Sequence, residues 1–569
     1  MRRQIRDAIF MLTIGLITAG RSFATTYYIA ATGADTNNGT AKTTPWLHAP
    51  GMPNCASICA STVPAAGDSF IFRGGDTWHT ANGSATPYTG FGAGPSTASS
   101  SWNWSWSGTS SACNWPAATS SCIYIGVDQT WFTGSSWTRP SFDLDNPLST
   151  SLVASCAFDQ SSTFNGLSIG SFTGYPKYVA NYVIVDNFNF FGHCHSQVTF
   201  LPSYIASSGI FITILHCYFH GWTMTNNPQP NGGSAEDGSP MISNSYTDAV
   251  VPGGATHDVA AYNVFDGSDS FCTGNLACTG RASDITYDFE HNVVRYMSNV
   301  LNGPSNVALV HDNLFEYIYE SFDPAAHGGI LEQNGNDLNQ PMSIYNNIFR
   351  HTDIGITINL DTTLNSPLFF FNNVMYDIGN PSNCIALASA STATGQSATF
   401  VNNTIDANST GCAFRLTKGG APDQFQGTIT FQNMHLIGTG QTTIAGWLGT
   451  LQTNQTLADK GNEIFQTEAI ANGQGYVPGN NYQPTSTSNA TYHAGANLSS
   501  SCSTYSADSA LCSGTTGGVT NTAGSGTIPT LYISSPALRG STWDAGAYQF
   551  NGQTVSKPAA PSGLVAKVQ

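Results

Sequence analysis

Charge is scarce in this chain. Only 9% of its 569 residues are Asp, Glu, Lys or Arg, and acids outnumber bases by 34 to 17. Lysine occurs six times. Charge-laced coiled coils and helical bundles are therefore excluded. A net charge of −17 also argues against binding nucleic acid or anionic lipid, which takes clustered Lys and Arg. Long apolar runs are missing as well. The longest, residues 8–20 (AIFMLTIGLITAG), is 13 residues, short of the ~20 that span a bilayer. No pair of CxxC motifs marks a zinc site, and no GxxxxGK[ST], or GxGxxG between a strand and a helix, marks a phosphate-binding loop.

The first residues carry an address. Arg2, Arg3 and Arg6 precede the apolar run, and Ser22-Phe23-Ala24 closes it as a small-x-small cleavage site. Residues 1–24 thus read as a secretory signal peptide, and the mature chain is expected to be secreted or held at the cell surface, with no integral membrane span. Thirteen cysteines suit such an oxidising destination. Cys55/Cys59, Cys113/Cys122, Cys272/Cys278 and Cys502/Cys512 are each placed to staple a loop, whereas Cys156, Cys194 and Cys217 read as buried thiols.

What the chain has in abundance is a repeat. Short β-branched and aromatic segments with a period of two carry Asn followed by two mostly apolar residues: Asn263-Val264-Phe265, Asn292-Val293-Val294, Asn313-Leu314-Phe315, Asn347-Ile348-Phe349, Asn373-Val374-Met375, Asn403-Thr404-Ile405 and Asn433-Met434-His435. Upstream, Asn189-Phe190-Phe191 fits, and Cys217-Tyr218-Phe219 fits with Cys in place of Asn. The intervals from Asn263 onward are 29, 21, 34, 26, 30 and 30. Variable periods of this size, joined by Gly/Ser/Asn-rich turns, mark a solenoid with loop insertions. One coil of several short strands per interval, stacked ~4.8 Å apart, makes a parallel β-helix in which the asparagines form a hydrogen-bonded column. A second phase, Gly329-Ile330, Gly355-Ile356, Cys384-Ile385 and Cys412-Ala413, is expected to stack in the same way. Residues 91–140, 222–257 and 485–530 read as interruptions of the solenoid.

Both ends carry a family likeness. Thr26-Tyr27-Tyr28-Ile29 with ATGADTNNGTAKTTPW (31–46), the segment Gly67-Asp68 through Arg73-Gly74-Gly75, and the closing Ser535-Pro536-Ala537-Leu538 and Trp543-Asp544-Ala545-Gly546-Ala547-Tyr548 together resemble secreted right-handed parallel β-helix proteins of the pectate-lyase-like superfamily. The expected fold is all-β: one right-handed single-stranded parallel β-helix over residues 25–550, then a linker-like tail (551–569). The resemblance implies action on a polysaccharide. Lyases of the group take the proton beside a uronate carboxylate with Arg, Lys or His, often with Ca²⁺ bridging protein acids and substrate. Hydrolases of the group use clustered aspartates. The NTD, DD, GHG and RxPxxR signatures of its members are absent, so no activity carries over residue by residue.

Candidate chemistry concentrates in one zone. Between Arg281 and Asp361, 18 of 81 positions are charged or His, against 64 of 569 overall. Three residues past each repeat Asn lie Asp266, Arg295, Glu316 and Arg350, alternating in sign on successive coils. They read either as a surface ion-pair ladder or as a groove whose arginines meet a sugar carboxylate. Glu320, Asp323 and His327 place two carboxylates and an imidazole within eight residues, a set suited to general acid–base work or to two-carboxylate hydrolysis, or else an ordinary Pro-containing turn. Asp266, Asp269, Glu290 and Asp312 are the candidate Ca²⁺ ligands. Trp102, Trp104 and Trp106 are candidates for stacking on sugar rings, or a local mini-core. Against a lyase or glycoside hydrolase stands a non-catalytic carbohydrate- or surface-binding β-helix.

Overall fold

The computed structural model describes residues 24–79, 102–143, 167–169, 180–192, 194–195, 205–207, 211–221, 223–224, 240–244, 258–269, 271–272, 281–283, 288–297, 299–303, 309–318, 329–333, 341–352, 356–359, 367–378, 385–388, 395–407, 414–416, 425–515 and 537–550. The N-terminal residues 1–23, the tail 551–569 and residues 319–328 are among those outside this set.

The chain winds as a parallel β-helix. A representative coil runs from strand Asp288–Glu290 through a two-residue bend to Val293–Met297, then to Asn299–Gly303, and returns as Leu309–His311 directly above its starting strand. Stacking these segments builds three long sheets, of 13, 12 and 10 strands among the described residues, here called sheets 1, 2 and 3 in the order the chain visits them, and a short one of three strands, Cys194–His195, Thr223–Met224 and Phe271–Cys272. Every ladder pairing is parallel, so residues separated by a whole coil become vertical neighbours. Within each strand, alternate residues point inward. In sheet 2 this stacks Phe190 on Phe219 and Phe219 on Phe265, with centroids 5.4 and 5.0 Å apart, and Phe315 on Phe349 at 5.1 Å.

The bend between sheets 1 and 2 explains the repeat. His216, Tyr262, His291, Asp312, Asn346, Asn372, Asn402 and Asn433 occupy it with φ between 50° and 58°, a left-handed conformation that Asn, Asp and His tolerate better than most side chains. The next residue turns inward as the ladder. Asn292, for example, takes the backbone N–H of Asn263 on its Oδ1 at 2.9 Å and donates through Nδ2 to the Ala260 carbonyl at 2.8 Å. The same pattern continues through Asn313, Asn347, Asn373 and Asn403. These side chains are fully buried and satisfy the orphaned backbone groups of each bend.

Four expectations need correction. Asn433 sits in the left-handed column, and Met434 takes the ladder rung above Asn403. Upstream, Asn189 pairs with Tyr218, so buried Phe188 holds the rung. An apolar side chain at each end closes a column whose polar groups would otherwise face the core unpaired. In sheet 3 the register joins Leu331 to Ile356 and Ile385 to Phe414, one residue off the expected alignment at each end, because the loop lengths there differ. Finally, residues 91–140 and 222–257 contribute strands Trp102–Trp104, Ile123–Phe132, Thr223–Met224 and Pro240–Asn244 to the coils and so do not simply interrupt them.

Cys55–Cys59, Cys113–Cys122 and Cys502–Cys512 are disulfide-bonded as expected, and Cys217 is a buried thiol. Cys156, Cys278, Cys384 and Cys412 lie outside the described residues. No helix among those residues is long and apolar enough to cross a membrane.

Candidate functional site

Of the expected site residues, Asp266, Arg295, Glu316 and Arg350 do form one column on the outer face of sheet 2. Arg295 Nη2 donates to Asp266 Oδ2 at 2.6 Å, and Arg350 Nη2 to Glu316 Oε2 at 2.7 Å. The expectation of a surface ladder or open groove is not met, because Asp266, Arg295 and Glu316 are buried. Arg350 is reached by Asn481, and its neighbour Tyr376 packs on Tyr482 of the C-terminal segment. Burial favours the neutral form of Arg350, but Tyr376 and Glu316 outweigh it and hold the guanidinium charged. Both arginines are engaged by carboxylates of their own column.

The calcium set does not converge. Asp266 and Asp269 belong to sheet 2 and its exit, where Asp269 contacts His220 at 2.6 Å. Glu290 and Asp312 lie on sheet 1 and its bend, in contact with histidines. Among the described residues no group of three or more His, Cys, Asp or Glu is arranged to hold a metal ion. The physical reason is topology: the two halves lie on different sheets, on either side of the corner that joins sheets 1 and 2.

Trp102 and Trp104 are also misassigned as sugar-stacking groups. The Trp-Asn-Trp alternation turns both indoles inward, where they are buried against Phe72 and Phe70. Their Nε1 groups donate to the carbonyls of Pro50 and Trp106. Trp106 is half-buried and edge-on to Trp104. Glu320, Asp323 and His327 lie outside the described residues. Strand Gly329–Gln333, which follows them, sets Glu332 level with Asn302 and Thr357 in sheet 3.

A different constellation assembles on the outer face of sheet 1. Asp288 and Glu290 are two residues apart on one strand and so share a face. The next coil places His311 directly over Glu290. His311 Nε2 lies 3.2 Å from Asp288 Oδ1 and 3.7 Å from Glu290 Oε2, while Nδ1 lies 2.8 Å from Asp312 Oδ2. The Asp288 contact is off the axis of a good hydrogen bond, and this oxygen has no hydrogen-bond partner among the described residues. His291 contacts Glu290 at 3.2 Å and stacks on Tyr262 at 4.7 Å. His311 stacks on Tyr345 at 4.6 Å, and the Tyr345 hydroxyl donates to Asp508.

Two disulfide-bonded segments flank this cluster. On the N-terminal side Cys113 and Cys122 pack with Leu215, Val259 and Ala261. On the C-terminal side Cys502 and Leu511 pack with Tyr345, Phe369 and Phe371. Between them the side chains of Asp288 and Glu290 keep 17% and 16% of their surface exposed, enough for contact with solvent but little enough to strengthen the charges.

The two carboxyl groups are driven apart in proton affinity. Burial raises Asp288, and His311 offsets this only in part. Burial works the same way on Glu290, but the hydrogen bond from His291 and the charge of His311 outweigh it and bring Glu290 below the usual range. For His311 itself, burial opposes the charge, yet Asp288 and Asp312 hold it protonated well above the ordinary histidine value. Opposed shifts in neighbouring carboxyls are the mark of an acid and a base set side by side. Glu290 and Asp312 were singled out in the sequence as ligands. Asp288 and His311 were missed.

No protein-family model matches the chain, and no curated protein matches it. Solved structures similar to it include a rhamnogalacturonan lyase (14% identity, covering 77% of this chain and 87% of that one, TM-score 0.35) and a pectate lyase (13%, 94% and 98%, TM-score 0.35). A lacto-N-biosidase from Eubacterium ramulus is similar too (10%, 78% and 68%, TM-score 0.37).

Proposed function

We propose that this chain is an exported enzyme that hydrolyses glycosidic bonds in an extracellular polysaccharide, with Asp288 as general acid and Glu290 as its ionised partner. The observation that carries this reading is His311 Nε2 in contact with both carboxylates. It caps the separation of the two contacting oxygens at about 7 Å, a bound compatible with the spacings used by two-carboxylate glycosidases. In the reaction Asp288 gives its proton to the leaving glycosidic oxygen as the C–O bond breaks. Glu290 either takes a proton from the attacking water or attacks the sugar carbon itself. With Asp288 protonated, the neighbouring carboxylates of Asp312 and Glu290 keep His311 cationic, so it orients the pair and stabilises the carboxylate of Asp288 once its proton has left.

A neutral substrate fits best. A uronate would approach a chain of net charge −17, and Arg295 and Arg350 are already paired with Asp266 and Glu316. Calcium-assisted elimination on a uronate, the reading that the family resemblance offers, would therefore need another cation site. A second reading is carbohydrate binding without cleavage, favoured by the mutual pairing of the cluster's acids and histidines. The test is a screen of purified protein against neutral and uronate-containing polysaccharides, with and without Ca²⁺. New reducing ends from a neutral substrate, lost in Asp288→Asn, are the expected outcome. Unsaturated, ultraviolet-absorbing products would indicate elimination, and no product from any substrate would favour binding alone.

A further inference from the structure

The buried tryptophans leave open which aromatic groups, if any, meet a sugar. Tyr28 and Trp131 answer to that description. Tyr28 alternates with Tyr27 and Ile29, which face the core, so its ring stands on the outer face of sheet 1, half-buried. Strand Ile123–Phe132 is ten residues long and slips register between Val127 and Phe132, and its Trp131 lies edge-on to Tyr28 with centroids 5.3 Å apart and planes at 89°. The two rings meet as an open right angle. Hydroxyl and charged groups rim it: Lys42 Nζ donates to Asp128 Oδ2 at 2.6 Å, Thr130 Oγ1 donates to Asp128 Oδ1 at 2.6 Å, and Lys42 lies 5.9 Å from the Tyr28 centroid.

We infer that Tyr28 and Trp131 form an auxiliary site for a neutral polysaccharide chain, separate from the Asp288–Glu290 centre. The apolar ring faces suit the C–H faces of a sugar, and the polar rim suits its hydroxyls. Lys42 is neutralised by Asp128, which weakens its attraction for a polyanion. Both rings are held by strands, so little conformational freedom is lost on binding. The site also shares a register column with the cluster. Tyr28 pairs with Ile71 and Ile71 with Gly126, while Asp186, Leu215, Ala261 and Glu290 continue the same outer face. Six rungs of ~4.8 Å separate Tyr28 from Glu290, about 29 Å along the axis. The Cys113–Cys122 segment packs on the rungs between, so the two sites engage separated stretches of one chain.

The inference takes its substrate class from the proposed function, but its test reads binding alone. Full-length protein is run through native gels containing xyloglucan, arabinoxylan, galactomannan or polygalacturonate. Retardation is expected in at least one neutral polysaccharide and not in polygalacturonate. Trp131→Ala and Tyr28→Ala should weaken it by about tenfold, and Trp131→Phe should largely preserve it. In the native chain the neutral polysaccharide should also shift tryptophan fluorescence, a change lost in Trp131→Phe, which guards against misfolding of the alanine variants. Unaltered retardation in Trp131→Ala, retardation by polygalacturonate alone, or none in any gel overturns the site. Trp131-dependent retardation without cleavage of any substrate would instead remove the hydrolase reading and leave the site standing.

Discussion

Sheets 1 and 2 carry charge on their outer faces in the same zone of the solenoid, yet they do opposite things with it. On sheet 2 the signs alternate from coil to coil, so Asp266 meets Arg295 and Glu316 meets Arg350, and the column neutralises itself behind a wall of aliphatic and tyrosyl side chains. On sheet 1 Asp288, Glu290 and Asp312 crowd two histidines, with no arginine or lysine in contact among the described residues. Guanidinium groups do not release protons at physiological pH, so the first arrangement is electrostatically inert. Imidazole and carboxyl groups exchange protons readily, so the second can do chemistry. The same stacking makes both, and the difference lies only in which residue type each coil contributes.

The sharpest way to break this comparison is to remove the exchangeable groups. Asp288→Asn and Glu290→Gln should each lower cleavage by about 10²–10⁴-fold, while Arg350→Met leaves turnover of a soluble substrate nearly intact; initial rates check both. Should Glu320→Ala and His327→Ala abolish activity while Asp288→Asn does not, the chemistry belongs to residues 319–328.

The complementary experiment is on stability. Arg295→Met leaves Asp266 buried without its partner and should cost about 3–5 kcal/mol in chemical denaturation. Replacing both members by apolar residues should cost much less, since no buried charge is then left over. A smaller effect is expected at the bend that joins the two faces. Asn347→Leu deletes the acceptor for the Asn313 N–H and the donor to the Val310 carbonyl, and should cost roughly 1–3 kcal/mol.

The pH dependence gives the finest discrimination. His311 has a raised folded value, so its contribution is complete below the ordinary histidine value near 6.5 and is lost as pH rises through the folded one. His435 on sheet 2 behaves oppositely. Burial, only partly countered by its contact with Gln466 at 2.8 Å, pushes it down to about 4. Its contribution is therefore present above about 6.5 and lost as pH falls toward that folded value. Denaturation midpoints across pH should lose their alkaline decline in His311→Gln and soften their acid decline in His435→Gln.

Much of this was visible along the chain. The asparagine repeat, the coil length, the alternating column Asp266–Arg295–Glu316–Arg350 and three disulfides could all be read from spacing. Trp102 and Trp104 went astray because composition shows how many aromatic rings a segment has but not the face they take. The Asp288–His311 contact could not be seen, since its partners are 23 positions apart and neither carries the repeat's Asn signature.

Alone, the order of residues determined that the chain coils, because period-two strands and left-handed-tolerant Asn, Asp and His at the bends are local properties. Only the folded solenoid decided which charges meet. Successive coils differ in length from 21 to 34 residues, and the vertical partner of any side chain depends on how every intervening loop is absorbed. That cumulative register turned one set of acids into a buried ladder and another into a proton-exchanging cluster.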